Sequence, residues 1–281
     1  MFDIFELIPG QKPTIKVVDV GAMSLGAGTD PFDPLLKQGS VKIVGFEPVQ
    51  AECDKLNRMH APGRLYLPHV IGDGRKRTFH ECNHVMTSSL YEPYTELLDK
   101  FQNLENLTQV VSRSDVDTRR LDDIVEVADT DYLKVDVQGA EVDVFNGATN
   151  VLREAVMVHT EVEFVPMYRD QPLFAEVDQV MRRNGFLFHK FAGIMGRTFK
   201  PLISNNDVNA PGSQLLWGDA VYIKNFMSLD DLVPEKLLKL AILLHVLHRS
   251  FDACAFVLQC YQRKTQDKLA DRYLFKLTGG R

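Results

Sequence analysis

The chain alternates short β-branched apolar runs, each closed by a glycine or an acid, with longer stretches in which apolar positions recur every three or four residues. The first pattern predicts buried strands and the second amphipathic helices. "IKVVDVGA" at 15 to 22 is a strand entering a glycine loop, and a helix follows near "DPFDPLLKQG", with Pro34 in its first turn and Gly39 at its end. "VKIVGFEP" at 41 to 48 is a second strand with Glu47 at its tip and Pro48 closing it off. "AECDKLNRMH" is helical in pattern, and "RLYLPHVIGDG" reads as a third strand ending in the turn Gly72-Asp73-Gly74.

The middle of the chain is less regular. "RTFHECNHVMTSSLYEPYTELLDKF" predicts an edge strand, a Thr87-Ser88-Ser89 loop and a helix beginning near Tyr91, and "TRRLDDIVEVAD" a short helix. "DYLKVDV" is a strand, "GAEVDVFNGATNVLRE" a helix, and "AVMVHTEVEFV" at 155 to 165 the next strand. A helix over "LFAEVDQVMRRNGF" stops at Gly185 and is followed by strands over "FLFHKF" and "SQLLWGDAVYIKN". Strand and helix in alternation predict an α/β, doubly wound sheet, mostly parallel with an antiparallel end strand. From Leu229 onward the pattern is helical throughout, so residues 1–227 are expected to form the sheet domain and 228–281 a helical C-terminal extension. Its first helix, "VPEKLLKLAILLHVLHRS", is apolar almost all round and must be covered by the sheet or by a second copy, which makes a homodimer through these helices one expectation.

Composition narrows the classes of function. Hydrophobic residues make up 45% and charged residues 25%, the proportions of a folded globular protein. A net charge of -6 offers no general attraction to nucleic acid, and no apolar run is long enough for a membrane span. The four cysteines, Cys53, Cys82, Cys254 and Cys260, lack a C-x-x-C spacing, and the N-terminus lacks a basic leader, so a cytoplasmic protein with reduced thiols is expected.

The chemistry is expected at the strand ends. In "DVGAMSLGAGTD" a glycine-lined loop admits a ligand to the backbone, and Glu47 at the tip of the next strand can accept two hydrogen bonds from a ribose diol. The glycines are Gly21, Gly26 and Gly28, not the Gly-x-Gly-x-x-Gly of a pyrophosphate site, which favours S-adenosylmethionine over the nicotinamide cofactor of an oxidoreductase. Asp19 is then a candidate for the ammonium of that methyl donor, Asp73 for its adenine amino group, and Ser88 and Ser89 for the pocket lining or a helix cap. In the strand "AVMVHTEVEF", His159, Glu161 and Glu163 share one face while Val158, Thr160 and Val162 take the other. Asp136, His159 and Glu161 are the candidates to take a proton from a poor nucleophile such as an alcohol. The same three form an alternative nitrogen and oxygen set for a divalent metal, which is not the favoured reading, and a third reading makes the chain a non-catalytic scaffold that works through its helical tail. In "DYLKVDVQGAEVDVF", Glu141 opens the next helix and Asp143 is expected to be solvated; Tyr168 and Trp217 are expected in the core.

Taken together, "VVDVGA", "GFEP", "DYLKVDVQGAEVDVFNGA" and "TEVEFVPMYRDQPLFAEVD" resemble the FkbM family of S-adenosylmethionine-dependent methyltransferases, from about Val17 to about Ile223. The resemblance implies a Rossmann-like methyltransferase fold acting on a hydroxyl of a small metabolite, sugar or glycan. It also implies that Asp19, Gly21 and Ala22 belong to the cofactor loop, that Glu47 is the ribose-binding acid, and that Asp136 is the acid after the fourth strand. This chain departs from the common pattern at Met23, where many members have Asn, and at Gln138, where the usual motif has Glu.

Overall fold

A computed structural model describes residues 2–22, 31–36, 41–59 and 63–280. Gly26 and Gly28 of the predicted loop, together with Met23 and Gly39, lie outside the described residues. The chain opens with a 3-10 turn at Ile4–Glu6, whose Phe5 N–H is capped by the Asp3 carboxylate. Strand β1 (Ile15–Val20), helix α1 (Asp33–Leu36), strand β2 (Val41–Phe46), helix α2 (Gln50–Met59) and strand β3 (Arg64–Leu67) follow. Strand β4 (Lys76–Cys82), helices α3 (Thr95–Leu98) and α4 (Leu104–Leu107) and strand β5 (Val110–Asp117) form the middle of the chain. Then come β6 (Tyr132–Val135), α5 (Glu141–Asn146), α6 (Thr149–Glu154), β7 (Met157–Glu163), α7 (Phe174–Arg183), β8 (Phe186–Gly196) and β9 (Leu215–Lys224). Helices α8 (Pro234–Val246), α9 (Phe251–Thr265) and α10 (Leu269–Leu277) end the chain.

Seven strands form one sheet in the order β3-β2-β1-β6-β7-β9-β8. The pairings from β3 through β7 are parallel; β9 runs antiparallel to β7 and to β8, so the antiparallel strand lies one place in from the edge. This is a Rossmann-like doubly wound α/β sheet. Strand order reverses between β1 and β6, where connections leave to opposite faces and open a crevice at the carboxyl ends of the strands.

Period-two alternation builds two cores. Val18, Val20, Leu133, Val135, Val158 and Val162 face α5, α6 and α7, while Ile15, Val17, Tyr132, Met157 and Val221 face α8, α9 and α10. Helix α8 is therefore buried by its own chain: its predicted all-round apolar surface meets the sheet, α9 and the N-terminal turn. Asp131 at the start of β6 is fully buried and anchors α8 through Lys236 at 2.8 Å and Lys239 at 3.0 Å, while also accepting the Lys16 N–H.

Several elements differ from expectation, each for a local reason. The third strand ends at Leu67, ahead of Pro68, and residues up to Gly74 are irregular. "TRRLDDIVEVAD" forms two 3-10 turns, Leu121–Asp123 and Val125–Val127; the Asp122 carboxylate accepts from the Asn150 and Val151 N–H groups at the start of α6. The helix expected after Gly139 is broken into α5 and α6 at Gly147, whose backbone passes so close to the Gly72 carbonyl that a Cβ would sit 2.2 Å from it. The expected helix near Tyr91 begins at Thr95. Strand β5, not expected, pairs with β4 as a separate two-stranded sheet, and its side chains are largely exposed.

Candidate active site

The crevice is assembled by backbone contacts between strand exits. Ala22 N–H donates to Phe46 O, Asp136 N–H to Val20 O and Glu47 N–H to Leu67 O, so β1, β2, β3 and β6 end in one pinned rim. Gly21 has φ +84°, and a Cβ there would lie 1.9 Å from the Asp136 carbonyl oxygen. Glycine is required at this position both by the backbone conformation and by the closeness of the two loops. Ala22 packs inward against Cys53, Leu56 and Tyr66. Glu47 stands at the tip of β2, partly exposed, with Oε1 accepting from Val49 N–H and burial raising its carboxyl above the ordinary value.

Below the rim, charged side chains form a row across the sheet. Register places Asp19 beside Lys134 and Lys134 beside His159. Lys134 Nζ is 3.1 Å from Asp19 Oδ1 and 3.8 Å from Asp136 Oδ2. Burial raises the Asp19 carboxyl and Lys134 opposes that shift, so the charge of Asp19 is answered from within the chain. His159 Nε2 lies 3.6 Å from Asp219 Oδ1 of β9, and its ring centroid is 6.0 Å from that of His248, at the α8–α9 junction.

The turn after β6 carries the densest chemistry. Gln138 adopts φ +55° and Gly139 φ +94°, which folds the chain back on itself directly after Asp136. A left-handed Gln is held against its preference by its own side chain: Nε2 donates to Asp136 Oδ1 at 2.9 Å and to Glu161 Oε2 at 2.6 Å. The Gln138 carbonyl accepts from Ser89 Oγ at 2.6 Å, and the Tyr168 hydroxyl lies 3.2 Å from Gln138 Oε1 and 3.0 Å from Thr87 O. Glu141 turns back so that Oε1 accepts from Val137 N–H at 3.0 Å and Gly139 N–H at 3.3 Å. Burial pushes the Glu141 carboxyl up to about 7, and burial followed by the neighbouring carboxylates raises Glu161 and Glu163 well above the ordinary range.

The remaining candidates have other partners. Asp73 is held by Arg75 and Arg77, which lowers its carboxyl despite the opposing effect of burial. Ser88 Oγ accepts from Cys82 N–H, and Ser89 Oγ from Tyr91 N–H, so neither caps α3. Asp143 is not solvated: it is 6% exposed, 3.0 Å from Arg77 and 3.1 Å from the Tyr91 hydroxyl, and ties β4 to α5. Asp136, His159 and Glu161 do not converge as a metal site. Among the described residues, the metal-ligand types that do gather are Glu141, Glu161 and Glu163.

Two participants, Lys134 and Asp219, do not stand out in the sequence; Gln138 and Glu141 are visible there only as a departure from the family motif and as a helix start, and Glu163 as a residue on the His159 and Glu161 face. A lysine inside an apolar parallel strand is itself a signal, because a buried cation requires an acid on a neighbouring strand. Tyr168 lies in the core as expected, at 1% exposed, yet its hydroxyl reaches the site.

The model of the methyltransferase FkbM domain matches residues 19–188, which takes in this rim, the Gln138 turn and β7. The chain belongs to the FkbM methyltransferases. The family carries S-adenosylmethionine-dependent chemistry, and its match ends where β8 begins, ahead of β9 and the C-terminal helices. No curated protein matches this FkbM chain. Among solved structures, a Listeria monocytogenes protein described as an S-adenosylmethionine-dependent methyltransferase is similar at 9% identity, with 79% of this chain and 95% of that chain covered and a TM-score of 0.37. A Thermoplasma acidophilum protein described as a methyltransferase is similar at 9% identity over 77% of this chain and 70% of that chain, with a TM-score of 0.35. The assignment rests on the family match and the strand order.

The residues of the rim fit S-adenosylmethionine. Glu47 presents a partly exposed carboxylate at the strand tip, where a ribose diol is held in such sheets.

Proposed function

We propose that this FkbM methyltransferase methylates a hydroxyl of a small metabolite, sugar or glycan. The observation that carries the reading is the pairing of two carboxylates, Asp136 and Glu161, through the Gln138 amide at the mouth of the crevice. When bound, S-adenosylmethionine supplies a methyl group on a sulfonium, which is electrophilic enough for an in-line displacement. The chain has three tasks. Glu47 holds the ribose hydroxyls, with Gly21 and Ala22 forming the floor of the loop. Asp136 and Glu161 hold the acceptor and take the proton from its O–H as the oxygen attacks. Glu161, joined to Asp136 through the Gln138 amide, is the final proton acceptor in this reading. Asp19 and His159 act by position: the first fixes Lys134 beside Asp136, and the second orients Asp219, the cross-strand neighbour of Glu161. Asp73 and Ser88 lie on the β3–β4 and β4–α3 connections and are assigned to the adenine side.

Calorimetric titration of the folded chain with S-adenosylmethionine and with S-adenosylhomocysteine tests the reading. Binding of both is expected; binding of neither would overturn it. The acceptor is then sought as the small molecule that gains one methyl by mass spectrometry.

A further inference from the structure

Three glutamates meet beside the Gln138 turn. Ligand oxygens of Glu141, Glu161 and Glu163 all lie within 4.8 Å of one another. Like charges so placed repel, and a buried carboxylate with no counter-charge is unstable in the folded chain. The charges that act most strongly on Glu161 are Asp136, Glu163, Glu141 and Asp219, carboxylates in every case.

Glu163 supplies a second and separate observation. It is 1% exposed, and neither of its oxygens meets a donor in full hydrogen-bonding geometry among the described residues, although the Gln171 side chain and its own backbone N–H are close enough to oppose the rise of its carboxyl. The Gln171 amide, whose Oε1 accepts from Tyr168 N–H, is the neutral neighbour of Glu163 and brings no counter-charge to it. By contrast, Glu141 and Glu161 have partners, and these occupy Oε1 of the first and Oε2 of the second. Each flanking glutamate thus has a fixed carboxylate, and one oxygen of the buried Glu163 lies within reach of an oxygen of both.

We propose that Glu141, Glu161 and Glu163 form a binding site for one hard divalent cation of the magnesium, manganese or calcium class. Oxygen ligands without nitrogen or sulfur select this class over zinc or copper. Oxygens that all lie within 4.8 Å of one another can reach one shared cation whose bonds are about 2.3–2.6 Å long. Glu161 is partly exposed, which gives the cation a route of entry. The set differs from Asp136, His159 and Glu161: it contains no histidine, and His159 is engaged with Asp219. A role for the cation in gathering an acceptor oxygen rests on the reading given under Proposed function; the existence of the site does not.

Manganese is the probe, because free Mn²⁺ has a resolved electron paramagnetic resonance signal that is lost on binding. One Mn²⁺ per wild-type chain is expected near pH 7.5, displaced by millimolar Mg²⁺ or Ca²⁺, with a rise in Tm. Glu163→Gln and Glu161→Gln should each weaken Mn²⁺ binding at least tenfold and abolish the rise in Tm, while circular dichroism shows both folded. The inference is overturned if folded wild-type chain leaves the Mn²⁺ signal unchanged at millimolar concentration, meaning that protons alone neutralise the cluster. It is equally overturned if both variants bind as wild type does, meaning that the ion sits elsewhere. S-adenosylmethionine calorimetry on the same samples keeps the two readings apart: cofactor binding without Mn²⁺ binding removes the cation site alone, and the reverse removes the methyltransferase site alone.

Discussion

At the scale of single residues, the site depends on side chains whose position makes their chemistry. Glu47→Ala removes the ribose acceptor from the tip of β2, and a loss of about tenfold to a hundredfold in S-adenosylmethionine affinity is expected by calorimetry, the worth of one or two charge-assisted hydrogen bonds. Unchanged affinity would take Glu47 out of the site. Asp136→Asn and Glu161→Gln preserve shape and remove basicity, so turnover should fall by about a hundredfold in at least one of them while cofactor affinity holds, as for loss of a general base. Gln138→Gly separates two effects. Glycine accepts φ +55° without strain, so thermal stability should be kept, yet the bridge between Asp136 and Glu161 is lost and turnover should drop. Equal turnover in that variant would show the bridge to be incidental. These residues were legible to different degrees. Asp136, Glu47 and Glu161 stand out from the chain because an acid at the end of an apolar strand is locally conspicuous. Gln138 and Glu141 do not, because their roles follow from a reversal of the backbone that brings residues two and four places from Asp136 and Val137 back over them.

At the scale of elements, the attachment of α8 to the sheet is the informative case. Its apolar surface was plain from the sequence, but its occupant was not. Asp131, buried at the head of β6, grips the helix through Lys236 and Lys239, and removal of that charge leaves two partly buried ammonium groups without it. Asp131→Asn should therefore cost about 3 kcal/mol in a urea or guanidinium unfolding series. The junction between α8 and α9 adds a dependence on pH. His248 is pushed down to about 3 by burial and then by His159, Lys190 and His189, while its own carbonyl accepts from Lys190 Nζ. The unfolded chain takes up this proton below about 6.5 and the folded chain does not until about 3, so stability contributed here is present above 6.5 and is lost as pH falls through that window. Unfolding midpoints for His248→Gln should lose part of the acid-side slope seen in wild type. A slope unaltered by the substitution would assign the acid sensitivity to other groups.

For the whole molecule, the C-terminal helices and the sheet share one core: Leu240, Ile242, Leu243, Leu258 and Tyr273 are buried together with Ile15, Val17, Tyr132 and Met157. A chain ending ahead of Leu229 would leave that face of the sheet uncovered. It is expected to aggregate or bind a hydrophobic dye strongly, by light scattering and fluorescence, rather than remain a folded sheet domain. A soluble, cooperatively unfolding truncation would instead make the extension a separate unit. No helix among the described residues is long and apolar enough to cross a membrane. The four cysteines are free and buried.

What the sequence determined by itself was whatever local periodicity encodes. β-branched runs, glycine loops and strand-end acids specified the parallel strands, their carboxyl-end crevice and the family, because each is written within a few consecutive residues. Polar, exposed β5 was missed for the same reason, since without a buried face it has no alternation to read. Tertiary structure alone decided which charges meet. Lys134 finds Asp19 through strand register, Glu141 reaches Glu161 and Glu163 through the reversal at Gln138 and Gly139, and α8 is buried by its own sheet. Such encounters depend on how strands are ordered and where crossings return, and distance along the chain carries no record of either.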